Sequence, residues 1–152
     1  MKQSSMAKRG VAAHVLLVDD NRDGLLARKA VLEELGFIVT TAVNGEEGLE
    51  TLSKGKFELM VTDFKMPKMD GIELIRRVRP LQPDLRIILL SGFAEALGLN
   101  EKSTGADAVI SKGVHEIANL TRSISHLLAR NPARRPPGAQ NAARIKTKTK
   151  SA

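Results

Sequence analysis

The 152-residue sequence has no cysteine, tryptophan or tyrosine, and only four phenylalanines. Without cysteine there is no disulfide, thiol nucleophile, thiolate zinc site or cysteine-bound iron–sulfur cluster. Such usage fits an intracellular compartment, and a cytoplasmic location is the expectation. With so few rings the core must be aliphatic. No apolar run approaches the ~18 residues of a membrane-spanning helix. Lys2, Lys8 and Arg9 ahead of the apolar residues 11–18 have the flavour of a secretion signal. However, His14 interrupts the run, Asp19 and Asp20 stop it, and no small-residue cleavage site follows, so secretion is rejected. Hydrophobic residues at 42% and charged residues at 27% are ordinary for a globular chain, and the length suits one domain.

Acidic residues are missing from both ends of the chain. Residues 131–152 carry Arg134, Arg135, Arg144, Lys146, Lys148 and Lys150 with no acid, and residues 1–13 carry three bases with none. The net charge of +7 therefore resides in the flanks, while residues 14–130 have a net charge of −2. The C-terminal flank is rich in Pro, Ala and Lys and has one large aliphatic residue, Ile145. Such a segment buries too little apolar surface to offset its ordering entropy. The expected organisation is a basic flexible segment at 1–13, one folded domain at 14–130 and a basic disordered tail at 131–152. The tail has no aromatic platforms for base stacking, so no specific DNA binding is expected, and any nucleic-acid contact would be non-specific and salt-sensitive.

Between the flanks, short apolar runs alternate with helical patterns. HVLLV (14–18), FIVTT (37–41), LMVT (59–62), RIILL (86–90) and residues 108–110 read as strands. Residues 22–35 place Leu25, Leu26, Lys29, Leu32 and Leu35 at helical spacing, and Gly36 is a natural C-cap. Asn44 caps a helix over 45–53, with Glu47 as capping-box partner. Residues 71–78 form a helix fenced off by Pro80 and Pro83, and Gly71 after Asp70 reads as a turn glycine. A weak helix is expected over 95–103, where Gly98 lowers the propensity. Residues 116–128 give an amphipathic helix with Ile117, Leu120, Ile124, Leu127 and Leu128 on one face. Five strands alternating with five helices predict an α/β fold around a parallel sheet.

In such sheets ligands bind beyond the C-terminal ends of the strands. Those ends here carry Asp19 and Asp20, Asp63, Ser91 and Lys112. Carboxylates gathered on one edge repel each other and need a cation. With no cysteine, and His14 at the far end of its strand, an all-oxygen Mg²⁺ site is the natural reading. A lysine ammonium and a serine hydroxyl suit phosphoryl oxygens, and an ionised Asp can act as nucleophile to give an aspartyl phosphate. His14, His115 and His126 show no ligand spacing.

The ordered set VDD (18–20), TDFKMPKMDG (62–71), Ser91-Gly92 and Lys112 resembles the receiver domain of bacterial two-component response regulators, over roughly residues 14–130. The resemblance implies a doubly wound, flavodoxin-like five-stranded sheet of order 2-1-3-4-5 with helices on both faces. It implies that Asp63 is the phosphoacceptor, and that Asp20 ligates Mg²⁺ directly and Asp19 mainly through water. The carbonyl of Lys65 would be another ligand, Ser91 the switch hydroxyl and Lys112 the lysine that pairs with the acceptor. It implies a signalling role rather than an enzymatic one. A sensor histidine kinase or histidine phosphotransfer protein would be the phosphodonor, and a downstream protein not named by the sequence would be the output.

Two positions depart from the family pattern. Gly113 stands where a cis proline usually follows the lysine, and Val109 where an aromatic residue often swings with the switch hydroxyl. Both leave room for a phosphorylation-independent, receiver-like interaction module. A dehalogenase-like aspartyl-phosphate enzyme would need a second Asp where Lys65 stands. Phe93, two residues after Ser91, is a candidate shield of the acceptor against water. With 22 residues after position 130, the sequence is expected to act as a stand-alone receiver without a DNA-binding output domain.

Overall fold

A computed structural model describes residues 12–92 and 94–130. The elements are β1 (His14–Val18), α1 (Arg22–Glu34), β2 (Ile38–Ala42), α2 (Gly45–Lys54), β3 (Leu59–Asp63) and α3 (Gly71–Val78). There follow β4 (Arg86–Ser91), α4 (Ala94–Leu97), α5 (Glu101–Thr104), β5 (Ala108–Ser111) and α6 (Glu116–Ala129). The strands form one parallel sheet in the order β2-β1-β3-β4-β5. This is the doubly wound order, with its switch point between β1 and β3.

Side chains alternate across each strand and divide the core into two layers. Leu17, Val61 and Leu90 face α1 and α6, where Leu25, Leu32 and Leu120 complete one cluster. Leu16, Met60 and Leu89 face the opposite way and pack with Leu52 of α2 and Leu74 and Val78 of α3. Both layers are almost wholly aliphatic, as the scarcity of rings requires. Pairing starts just before β1, where the Ala13 carbonyl accepts a hydrogen bond from Ile38 N–H (2.9 Å).

Local chemistry sets the element ends. Gly36 at φ 100° closes α1 in a Schellman turn: its N–H donates to the Glu33 carbonyl (3.0 Å) and Phe37 N–H to the Leu32 carbonyl (3.1 Å). Asn44 caps α2 through Glu47 N–H (2.7 Å), but the Glu47 carboxylate accepts from Val43 N–H (2.6 Å), one residue before a capping-box partner. The helix expected over 95–103 is instead two one-turn helices. Gly98 takes φ 67°, and Asn100 starts α5 with a reciprocal capping box to Ser103. The apolar stripes of α1 and α6 are also narrower than their leucines imply: Leu26 and Ile117 are exposed.

Candidate functional site

The C-terminal edge of the sheet gathers the polar strand ends. Asp63 is the last residue of β3 and lies in register with Leu90, one residue before the buried Ser91. Phe64 N–H donates to the Leu90 carbonyl (2.8 Å), so the chain leaves β3 tied to β4. Lys112 N–H donates to the Ser91 carbonyl (3.0 Å), which ties the end of β5 to β4 as well. Lys112 Nζ then reaches Asp63 Oδ1 at 2.5 Å. The peptide bonds among the described residues are all trans, and Gly113 follows at φ 157°. The loop is thus built around glycine without a cis bond, and Lys112 still reaches Asp63.

Asp19 and Asp20 follow β1. One carboxylate oxygen from each of Asp19, Asp20 and Asp63 lies within 4.8 Å of the others, with Asp19 and Asp63 buried and Asp20 exposed. An all-oxygen set with this spacing fits a hard divalent cation. Lys65, whose carbonyl completes the expected ligand set, lines an open depression of about 410 Å³ together with Asp20, Phe64, Met66, Pro67 and Asp70. Burial pushes the Asp63 carboxyl above its ordinary range. The hydrogen bond from Lys112 works against this shift, and the nearby Asp19 charge adds to it.

The loop over 64–70 is held by two backbone devices. Lys68 sits at φ 71°, and Met69 N–H donates to the Pro67 carbonyl (2.7 Å), a γ-turn of the strained, positive-φ kind. The loop then folds back until Gly71 N–H donates to the Phe64 carbonyl (2.8 Å). Gly71 is therefore not a turn glycine. A Cβ there would lie 2.4 Å from the Asp63 carbonyl oxygen, so close approach is what excludes a side chain.

Asp19 is engaged at both oxygens. Oδ1 accepts from Asn21 N–H (2.9 Å) and Oδ2 from the Arg28 guanidinium (2.9 Å). Arg28 is buried, and its Nε also donates to Glu116 Oε2 (2.5 Å) at the start of α6. Burial works against this charge, but the hydrogen bonds and fields of Glu116 and Asp19 outweigh it and raise the arginine pKa further. The sequence reading missed Arg28. The signal was present, because positions 25, 28 and 32 share one helical face and a charge there falls on the buried stripe. Asn21 caps α1 through Gly24 N–H (3.2 Å), which leaves Asp19 and Asp20 free of that duty. His14 shares a hydrogen bond with the Thr40 hydroxyl (2.7 Å) and packs against Phe57 with the rings tilted by 41°, at the opposite end of the sheet. Phe93 lies outside the described residues, as do the flanks 1–11 and 131–152.

The sequence model of the response regulator receiver domain family matches residues 15–125. The chain is a response regulator receiver domain. The receiver is similar to the response regulator receiver protein CpdR of Brucella abortus (strain 2308), with 40% identity over 116 residues that cover 75% of this chain and 95% of CpdR. It is also similar to the crystal structure of the response regulator TrrA of Thermotoga maritima in complex with Mg²⁺–BeF. That match has 29% identity and a TM-score of 0.69, and covers 76% of this chain and 98% of TrrA. A complex of the histidine kinase ThkA with TrrA matches with the same identity, TM-score and coverage. Membership makes the receiver a two-component signal-transduction module whose acidic pocket holds a phosphorylatable aspartate. Among the described residues no helix is long and apolar enough to cross a membrane.

Proposed function

We propose that the receiver takes a phosphoryl group onto Asp63 from a phosphohistidine of a sensor histidine kinase or histidine phosphotransfer protein, in a Mg²⁺-dependent reaction. The proposed output is protein binding controlled by that phosphorylation. The observation that carries this reading is the convergence of Lys112 on Asp63 at 2.5 Å beside two further carboxylates. Lys112 holds Oδ1 and leaves the other carboxylate oxygen to attack phosphorus. As the P–O bond forms, the P–N bond breaks and its electron pair returns to the imidazole. Asp19, Asp20, Asp63 and the Lys65 carbonyl would hold the cation, which when bound neutralises the phosphoryl charge. Lys112 and the Ser91 hydroxyl would then donate to phosphoryl oxygens. The roles of these residues follow the family pattern, and the Mg²⁺–BeF and kinase complexes of TrrA support the cation and the donor by similarity. Folding is assigned to residues 14–130, and a cytoplasmic setting follows from the kinase partner.

The test is incubation with Mg²⁺ and acetyl phosphate followed by intact-mass measurement. A single phosphate adduct is expected on the native protein, and none on Asp63→Asn. No adduct from acetyl phosphate or from a phosphorylated kinase would sink the proposal and return weight to a phosphorylation-independent module.

A further inference from the structure

Arg28 does not belong to the set of residues that the family pattern assigns to the site, yet its guanidinium sits inside the acidic cluster. It bridges Asp19 Oδ2 (2.9 Å) and Glu116 Oε2 (2.5 Å), and all three side chains are largely buried. The fold makes room for it. Gly24, one turn earlier on α1, would place a Cβ 3.0 Å from an Arg28 guanidinium nitrogen and 3.6 Å from Asp19 Oδ2. A side chain at position 24 would therefore crowd the bridge. The neighbours of Arg28 on the same helical face, Leu25 and Leu32, are core residues, so the position itself is suited to an aliphatic side chain. A buried arginine there is costly unless both its charge and its donors are used. Here both are used, on one carboxylate of the cation-binding cluster and one carboxylate four residues after Lys112.

We propose that Arg28 is a positioning residue and built-in counter-ion of the site: it holds Asp19 in place without metal and lowers the cluster's affinity for a divalent cation. A fixed positive charge beside the cluster repels an incoming cation, and the guanidinium occupies an Asp19 oxygen. Asn21 N–H takes the other oxygen, so Asp19 acts through its field and through water rather than as a direct ligand. Glu116 offsets part of the arginine charge and sets how strongly that charge is felt. The inference rests on reading the three carboxylates as a divalent-cation site.

Titration calorimetry with Mg²⁺, and with Mn²⁺ as the second probe, separates the possibilities. In the double variant Arg28→Leu/Glu116→Gln the aliphatic face is completed and Glu116 is not left as an unpaired acid, while Asp19 keeps the Asn21 N–H bond and loses only the guanidinium. It is expected to bind either cation severalfold more tightly than the native protein, because the whole arginine charge is lost together with a Glu116 charge that offset only part of it. Its metal-free melting temperature falls, and saturating Mg²⁺ restores it. Arg28→Lys, which keeps the charge but cannot bridge two carboxylates, lies between. Glu116→Gln alone leaves the arginine charge opposed by Asp19 only and weakens cation binding severalfold, which keeps the test open if the double variant does not fold. A merely structural arginine would give weaker binding in every variant. Unchanged or weaker binding by the folded double variant, with the native protein binding normally, overturns the inference alone. No cation binding by either protein overturns both the inference and the cation site. Unchanged or tighter binding by Glu116→Gln also counts against the role of Arg28.

Discussion

Gly71→Ala tests how tightly the backbone around Asp63 is packed. The added Cβ would meet the Asp63 carbonyl oxygen at 2.4 Å, Leu89 Cδ1 at 2.7 Å and Phe64 Cα at 3.1 Å. Ordinary carbon–oxygen contacts begin near ~3.3 Å, so the backbone would have to part by most of an ångström. Leu89 could turn aside, but the Asp63 carbonyl could not. It belongs to β3, which pairs with β1 on one side and β4 on the other. The start of α3 would have to lift instead, at the expense of the Gly71 N–H bond to the Phe64 carbonyl (2.8 Å). Overpacking costs about 1–3 kcal/mol and the lost hydrogen bond about 1 kcal/mol. Reduced freedom of the unfolded chain returns up to ~1 kcal/mol. The net expectation is a loss of about 2–3 kcal/mol, read by urea unfolding with far-ultraviolet circular dichroism. Gly92→Ala is the control, since among the described residues beyond its chain neighbours nothing lies within 4 Å of a Cβ there. It carries the same unfolded-state benefit without the clash, so it should be neutral or slightly stabilising. The displaced atoms belong to Asp63 and Phe64, so Gly71→Ala should also slow phosphate uptake from acetyl phosphate. Stabilities of the two variants within ~0.5 kcal/mol of each other would refute the reasoning.

Three further outcomes are expected. In metal-free protein, burial holds the Asp63 carboxyl above its ordinary range, so its stabilising contribution is present below the unfolded-state pKa and is lost as pH rises through the folded-state value. Asp63→Asn should therefore be more stable than the native protein at pH 7.5 by about 1 kcal/mol, with the gap closing toward pH 4.5; a less stable variant at pH 7.5 contradicts this. Asn44→Ala removes the acceptor for Glu47 N–H and should cost about 1 kcal/mol in thermal or urea unfolding, while no measurable loss would show that the cap is redundant. Val109 is partly buried against the α2–α3 layer and, being β-branched, cannot swing as a ring does. Beryllofluoride with Mg²⁺ should therefore shift amide resonances near Asp63 and Lys112 strongly and those over 95–109 weakly; large shifts across 95–109 would overturn that expectation.

Sequence legibility followed the range of the forces involved. The helix over 71–78 was read to the residue because both of its ends are local: Asp70 accepts from Glu73 N–H (2.9 Å), and Pro80 lies just beyond. Strand ends at 62 and 90 were read one residue short. Asp63 and Ser91 look like loop residues, yet the ladder continues through them to Leu90 and Ser111. The polar strand ends could be read as one set because a parallel sheet brings every C-terminal strand end to the same edge. Lys112 and Asp63, 49 positions apart, could be paired on that ground before any distance was known. What stayed illegible depended on three-dimensional register. Helical spacing in the sequence places the stripe on α1 through Leu26 and Lys29, but Leu26 is exposed and Lys29 pairs with Glu33 on the outer surface (2.8 Å). The true face passes through Arg28, whose partner Glu116 lies 88 residues away. Nor could composition give the reason for Gly71, because the atom it avoids belongs to the backbone of Asp63.

The two cations of the site differ in freedom, and this difference gives the receiver a fixed side and a movable side. Arg28 is tied at both ends, to Asp19 and Glu116, and its side chain is 10% exposed. Among the ion pairs of the described residues Lys112 is tied to Asp63 alone; it is 31% exposed and starts the loop that continues into Gly113. A phosphoryl group on Asp63 adds negative charge and three acceptor oxygens where Oδ1 now meets the ammonium. Lys112 can follow that charge by rotating its flexible stem. Arg28 could follow only by releasing a buried carboxylate, which is strongly unfavourable. Rearrangement on phosphorylation is therefore expected to fall on Ser91, Lys112 and the loop between β5 and α6, while the Asp19 corner of α1 stays in place. The departures from the family pattern, Val109 and Gly113, both lie on this movable side, so they are expected to alter how far the change travels rather than whether the phosphoryl group is held.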